Sequence, residues 1–174
     1  PAGMFAAITA AEQGNKVLLL EKNHRLGKKL LITGKGRCNV TNHCTGQEVL
    51  QNTPRNGRFL FSAMAAFPPE KTYAFFESHG CPLKVERGNR VFPVSDRSQS
   101  VLDSLQDELR RLHVTVSEER VTEILTAEGR VTGVRTDRGS HEAEWVILAT
   151  GGVSYPATGS TGDGYRMAEA LGHT

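Results

Sequence analysis

The stretch PAGMFAAITAAEQGNKVLLLE, Pro1 to Glu21, decides the fold. It reads as the tail of a nucleotide-binding βαβ unit. Pro1-Ala2-Gly3 has the look of the end of a glycine-rich turn. A small-residue helix follows, with Met4, Phe5, Ile8 and Ala11 on one face at 3.6-residue spacing. Gly14 sits where a helix C-terminal glycine belongs. Val17 to Leu20 is a continuous apolar run, as in a strand buried on both faces, and Glu21 closes it.

This layout has a specific chemistry. A helix N-terminus offers unpaired N–H groups and partial positive charge, which favour a pyrophosphate. A carboxylate about 20 residues after the glycine turn accepts the ribose hydroxyls of an adenosine. Glu21 lies 18 positions after Gly3. An acid there repels a 2′-phosphate and disfavours NADP at this position. The strand before the turn and the first two glycines of G-x-G-x-x-G are absent, so the expectation is a piece whose natural start lies upstream. Taken alone, the stretch also suits an S-adenosylmethionine enzyme, or an α/β hairpin with no ligand.

A chain of 174 residues predicts one domain with room for a core. The formal charge of +2 is too small to argue for nucleic acid, although Lys22, Arg25, Lys28, Lys29, Lys35 and Arg37 cluster locally. Three cysteines without a C-x-x-C make neither a disulfide framework nor a zinc site, which points to a reducing, cytoplasmic setting. No apolar run approaches the length of a membrane span, about 20 residues, and no signal peptide is visible.

Lys22 to Pro54 reads as a long irregular stretch holding a dense block, Gly34-Lys-Gly-Arg-Cys-Asn-Val-Thr-Asn42. Two glycines flanking a lysine suit close approach of backbone to a ligand. A turn-rich surface loop is the competing reading. Helices are expected over Phe59–Phe67, Pro69–Ser78 and Ser95–Leu112, the last with a Val101, Leu102, Leu105, Leu109, Leu112 stripe and Ser95 or Asp96 as cap. Pro82–Arg87 and Arg90–Val94 form a hairpin about Gly88-Asn89. Val114–Val116 is a short apolar run. Arg120–Thr126, Arg130–Thr136 and His141–Ala149 predict a meander that ends in a buried strand, Trp145–Ala149, running into Thr150-Gly151-Gly152. Ser154 to Gly164 reads as an anion-facing loop before a helix over Tyr165–Leu171, with Asp163 as its cap.

The segments Pro1-Ala-Gly3, Glu21-Lys22, Gly34-x-Gly-Arg-Cys-Asn-x-Thr-Asn42, Ala149-Thr-Gly-Gly152 and Gly159-Ser-Thr-Gly-Asp-Gly164 together resemble the bacterial aminoacetone-oxidase-like flavoproteins. These are NAD(P)/FAD-dependent oxidoreductases of the glutathione-reductase-like, two-dinucleotide-domain class. The resemblance covers the whole chain, and G-R-C-N-x-T-N is its most specific part. It implies a Rossmann-like α/β FAD-binding domain with a β-meander, truncated at both ends. The upstream glycines are missing, as is a substrate-side domain after Thr174. The implied cofactor residues are Pro1, Ala2, Gly3, Glu21, Lys22, Lys29, Gly34, Gly36, Arg37, Cys38, Asn39, Thr41, Thr150, Gly151 and Gly152. Gly3 would face the FAD pyrophosphate and Glu21 the adenosine ribose. Arg37, Cys38 and Asn39 would lie near the flavin or its ribitol chain, with Thr150 and Gly151 on the other side.

Cys38 beside Arg37 is the tempting redox group, but Cys38 and Cys44 are six positions apart, unlike a flavin-linked dithiol. Cys81 reads as buried and inert. His24, His43, His79, His113, His141 and His173 lack metal-ligand spacing. Tyr155 suits either a place against the ring system or ordinary packing. The expectation is a cytoplasmic FAD oxidoreductase, with NAD(P)H as electron donor and a small-molecule substrate, and with no metal, nucleic acid or membrane partner. Its competitors are an S-adenosylmethionine-dependent methyltransferase and a non-enzymatic nucleotide- or RNA-binding module.

Overall fold

The computed structural model describes residues 1–174. In chain order the elements are α1 (Ala2–Glu12), β1 (Leu18–Glu21), β2 (Thr41–Asn42), α2 (Gly46–Gln51), α3 (Phe61–Ala66), α4 (Pro69–Ser78), β3 (Leu83–Glu86), β4 (Arg90–Pro93), α5 (Ser98–Arg111), β5 (Thr115–Glu118), β6 (Val121–Ala127), β7 (Arg130–Thr136), β8 (Ser140–Glu142) and α6 (Asp163–Ala170). Short 3-10 segments cover Leu30–Gly36, Gly57–Leu60 and Pro156–Thr158. The chain divides into two compact units: Pro1–Lys29 with Leu105–Thr174, and Leu30–Ser104. The boundary falls inside α5.

In the first unit α1 buries Met4, Ala7 and Ile8, close to the predicted face. The helix begins at Ala2, so Ala2 and Gly3 lie in its first turn rather than in a preceding loop. Gly14 ends it as expected: its φ of +85° carries the chain away, and the Asn15 N–H donates back to the Ala10 carbonyl at 3.2 Å. β1 pairs in parallel with β5, Leu18 opposite Thr115 through Glu21 opposite Glu118. The short run at Val114–Val116 is thus the partner strand of a βαβ-type pair. β1 is less buried than predicted, half-buried beyond an exposed Leu18, because its sheet has only two strands.

The meander forms as an antiparallel β6–β7–β8 sheet. Its turn at Glu128-Gly129 carries φ of +51° and +75°, the pair of left-handed residues that a tight hairpin demands. The predicted last strand does not form. β8 stops at Glu142, and Trp145 to Ala149 pairs with no strand. Trp145 is 86% exposed and Ile147 66%. An apolar run is a strand only where a neighbour supplies the ladder, and β1 pairs with β5 alone.

The second unit holds an antiparallel β2–β4–β3 sheet with α2, α3 and α4. Val91, Phe92 and Pro93 on β4 are its most buried strand residues, joined in the core by Phe76, Cys81 and Leu83. The hairpin turn at Gly88-Asn89 forms with φ of +75° and +55°. α2 lies inside the stretch read as irregular. It starts with a complete capping box, the Thr45 hydroxyl accepting from the Glu48 N–H while the Glu48 carboxylate accepts from the Thr45 N–H. The helix predicted over Phe59–Phe67 breaks into a 3-10 turn and α3. α5 keeps its stripe, with Val101, Leu102, Leu105 and Leu109 all fully buried. It starts later than predicted, because Asp96 has φ +55° and turns its carboxylate to Lys84 and Arg37 instead of the helix.

Candidate functional site

In the first unit, the tip of β1 and the loop from Thr150 to α6 lie together. Glu21 Oε1 accepts from the Asn23 backbone N–H at 2.9 Å and from Asn23 Nδ2 at 2.6 Å. No group of the chain donates to its other oxygen, Oε2. Asn23 Nδ2 also reaches the Thr158 carbonyl at 3.5 Å. Lys22 Nζ donates to Asp163 Oδ2 at 2.5 Å and Thr161 Oγ1 at 2.6 Å. Lys29 Nζ donates to the Ser154 hydroxyl at 2.9 Å and the Ser154 carbonyl at 3.1 Å. Both lysines expected at the cofactor are therefore ties between the basic segment and the glycine-rich loop.

The second half of the pattern closes on the same place. The Gly162 N–H donates to the Gly152 carbonyl at 3.3 Å. A Cβ on Gly164 would stand 2.4 Å from Thr150 Oγ1, so α6 starts against the threonine at a distance that only glycine allows. A Cβ on Gly3 would meet Ala149 and Leu19 at 3.4 and 3.5 Å, ordinary contact distances, so the packing of α1 on β1 does not itself demand a glycine here. Pro1 precedes α1 without a side-chain cap, and no acid sits in the first turn. The first N–H groups of α1 keep their donor capacity.

The second unit contains Gly34, Gly36, Arg37, Cys38, Asn39 and Thr41. Gly34, Lys35, Gly36 and Cys38 all take positive φ, so the block is a tight left-handed coil. A Cβ on Gly34 would collide with the Asn39 backbone nitrogen at 2.8 Å. Arg37 grips Glu86 with both terminal nitrogens, at 2.8 and 3.2 Å, reaches Asp96 at 3.0 Å, and lies 4.0 Å from the centre of the Phe92 ring. Its guanidinium pKa is raised first by Glu86 and then by Asp96. The side chain is fully committed to the hairpin. The Asn39 amide donates to the Thr41 and Val91 carbonyls at 3.1 and 3.2 Å. Cys38 is buried, and burial pushes its thiol pKa up. All three cysteines are free thiols.

Two residues given no functional weight in the sequence reading hold the first unit's charges. Asp163 is the first residue of α6 rather than its cap, a position that falls to Gly162. It is buried and bonded by Lys22, Thr161 and Arg166. The Lys22 ammonium is the main cause of its lowered pKa. Glu119, also buried, accepts from Thr136 Oγ1 at 2.6 Å and Ser117 Oγ at 2.7 Å, and pairs with His141 Nε2 at 2.8 Å. Those bonds, Thr136 first, bring its pKa down to about 2. A carboxylate between two apolar runs was the available signal for Glu119. Nothing local marked His141, 22 residues away.

The HI0933-like protein Rossmann domain model matches residues 1–174. This chain belongs to that family. Its fold is accordingly the Rossmann-like α/β FAD-domain class expected from the sequence. Among curated relatives, the family member described here is 36% identical over 174 residues to a 3-dehydro-bile acid delta(4,6)-reductase of Clostridium scindens. It is 32% identical over 173 residues to the ribosomal RNA dihydrouridine synthase of Escherichia coli. The matches take in 99% and 98% of this chain but 42% of each relative, so the chain spans about two fifths of their length. The HI0933-like chain also superposes on Mycobacterium smegmatis Sdh1, solved in complex with UQ1, with a TM-score of 0.65 at 22% identity, over 97% of this chain and 36% of that one. Aquifex aeolicus GidA gives 0.53 at 19%, over 86% and 23%. These two likenesses show the fold alone.

Proposed function

We propose that this HI0933-like domain binds FAD in a cytoplasmic flavoprotein oxidoreductase of the aminoacetone-oxidase-like kind, with NAD(P)H as electron donor and a small organic substrate. The observation that carries the reading is Glu21: a carboxylate at the tip of a parallel strand, one oxygen fixed by Asn23 and the other open. FAD would supply hydride transfer. The open oxygen of Glu21 would take a ribose hydroxyl, and the uncapped first turn of α1 at Ala2 and Gly3 would face the pyrophosphate. Thr150, Gly151 and Gly152 would line the same groove with little side-chain bulk. Lys22, Lys29 and Arg37 are spent on Asp163, Ser154 and Glu86, so they would shape loops rather than neutralise phosphate. Cys38, buried with a raised pKa, would pack and not react.

The test is a titration of the full-length colourless apoprotein with FAD, followed by absorbance near 450 nm and by flavin fluorescence. Glu21→Ala is expected to weaken binding at least tenfold, the loss of one charge-assisted bond of about 1.5–3 kcal/mol, with circular dichroism unchanged. A protein that takes up no FAD, or a Glu21→Ala variant with wild-type affinity, overturns the proposal.

A second reading keeps the flavin and changes the acceptor to a uridine of ribosomal RNA. It is favoured by the two relatives named ribosomal RNA dihydrouridine synthase, from Escherichia coli and Haemophilus influenzae. Both this name and that of the bile-acid reductase denote saturation of a carbon–carbon double bond. Mass spectrometry of ribosomal RNA nucleosides from a strain deleted for the gene separates the two: loss of dihydrouridine supports the RNA substrate.

A further inference from the structure

The first unit has a concavity whose lining does not include Glu21, where β6 faces α6. It encloses about 440 Å³, within the range of small-molecule sites. Val121, Ile124, Met167 and Leu171 give it an apolar wall, and Arg120 stands at one end beside Asp163.

The charges at that end do not balance. Asp163 already accepts from Lys22, Thr161 and Arg166. Arg120 comes no nearer than 3.7 Å to it, and its guanidinium, 57% exposed, makes no hydrogen bond. The other acid on the wall, Glu123, is held by Arg135 at 2.9 Å. Arg120 thus brings a planar, two-pronged donor to the edge of a trough of mixed lining, in which Thr122 and Thr126 stand beside the apolar residues, and it shares its one carboxylate partner, Asp163, with Lys22 and Arg166. A guanidinium in that state matches a carboxylate better than any neutral oxygen.

We propose that this groove binds a small apolar carboxylic acid, its carboxylate on Arg120 and its hydrocarbon along Val121, Ile124, Met167 and Leu171. The inference does not depend on the flavin reading. It draws only on the cavity and on the ion pairs around Asp163.

Isothermal titration with butanoate, hexanoate, octanoate and octan-1-ol tests it, in the protein as isolated and with or without FAD. Affinity is expected to rise by up to roughly fourfold per added methylene, the effect of burying each in an apolar wall, until the groove is filled. Octan-1-ol should bind at least tenfold more weakly than octanoate. Arg120→Gln should bring octanoate down to the level of octan-1-ol while leaving octan-1-ol unchanged. Ala170→Phe, at an exposed position on the groove, should block both without lowering the unfolding midpoint. The proposal is overturned by equal binding of octanoate and octan-1-ol, by wild-type octanoate affinity in Arg120→Gln, by Ala170→Phe binding as the parent does, or by the absence of saturable binding.

Discussion

Each unit binds its cations with carboxylates, and the two do it in different surroundings. In the second unit Glu86 and Asp96 take Arg37 and Lys84 in a network whose four side chains are between about a quarter and a half exposed. In the first, Asp163 and Glu119 are less than a tenth exposed, and each collects three donors. Water competes for every contact in the second network and screens its charges, so its pairs contribute little free energy and act mainly to fix direction. The buried carboxylates have lost their water and depend on their protein partners. Carboxylate contacts therefore mean positioning in one unit and cohesion in the other.

The largest way to break that contrast is at Asp163. Asp163→Asn should cost about 2 kcal/mol, since the cations left behind reach solvent and soften the usual penalty for splitting a buried pair. A lower midpoint of urea unfolding at unchanged slope would report it. The variant should also loosen the Gly159–Gly164 loop, read as faster proteolysis there. An unchanged midpoint would place Asp163 with the surface group.

Glu119 sharpens the contrast through pH. Its folded pKa is about 2 against an ordinary 4.5, so the folded state favours the carboxylate. Its contribution is complete above about 4.5 and is lost as pH falls from there through about 2. Glu119→Gln should be less stable than the parent at pH 7, and the gap should close over that window. A gap that persists at pH 2 would mean that packing, not charge, is what Glu119 supplies.

The smallest effect belongs to the exposed network. Arg37→Lys keeps the charge and removes the two-pronged grip on Glu86. The thermal midpoint should hold within experimental error at high salt, while amide exchange in the Gly34–Asn39 coil becomes faster. A large drop in midpoint would contradict the view that this network only directs the loop.

The legible parts of the sequence were those in which local chemistry decides. The α1–β1 pair followed from small residues, Gly14 and a four-residue apolar run. The two hairpins followed from Gly88-Asn89 and from Gly129, residues that adopt positive φ readily, and Glu128 takes φ +51° beside Gly129 without that preference. The approach of Lys22 and Asn23, just past β1, to the loop over Thr158–Asp163 was readable because a nucleotide fold brings those segments together. What was not readable depended on partners far off in sequence. Asp163 was taken for a cap because it opens a helix, whereas its partner Lys22 lies 141 residues away. Arg37 invited a place near the flavin or its ribitol chain, but its partners Glu86 and Asp96 are 49 and 59 residues on. Trp145–Ala149 has the composition of a strand, and composition cannot supply the neighbouring ladder.

That last run carries the protein's one tryptophan. With 86% of its surface open to solvent, Trp145 is a built-in optical probe: its emission is expected at the water-exposed, red end of the range, with a soluble quencher reaching it freely. Anything that comes to cover the segment, be it a polypeptide, a membrane or a second molecule, announces itself as a blue shift and protection from quenching, with no label attached.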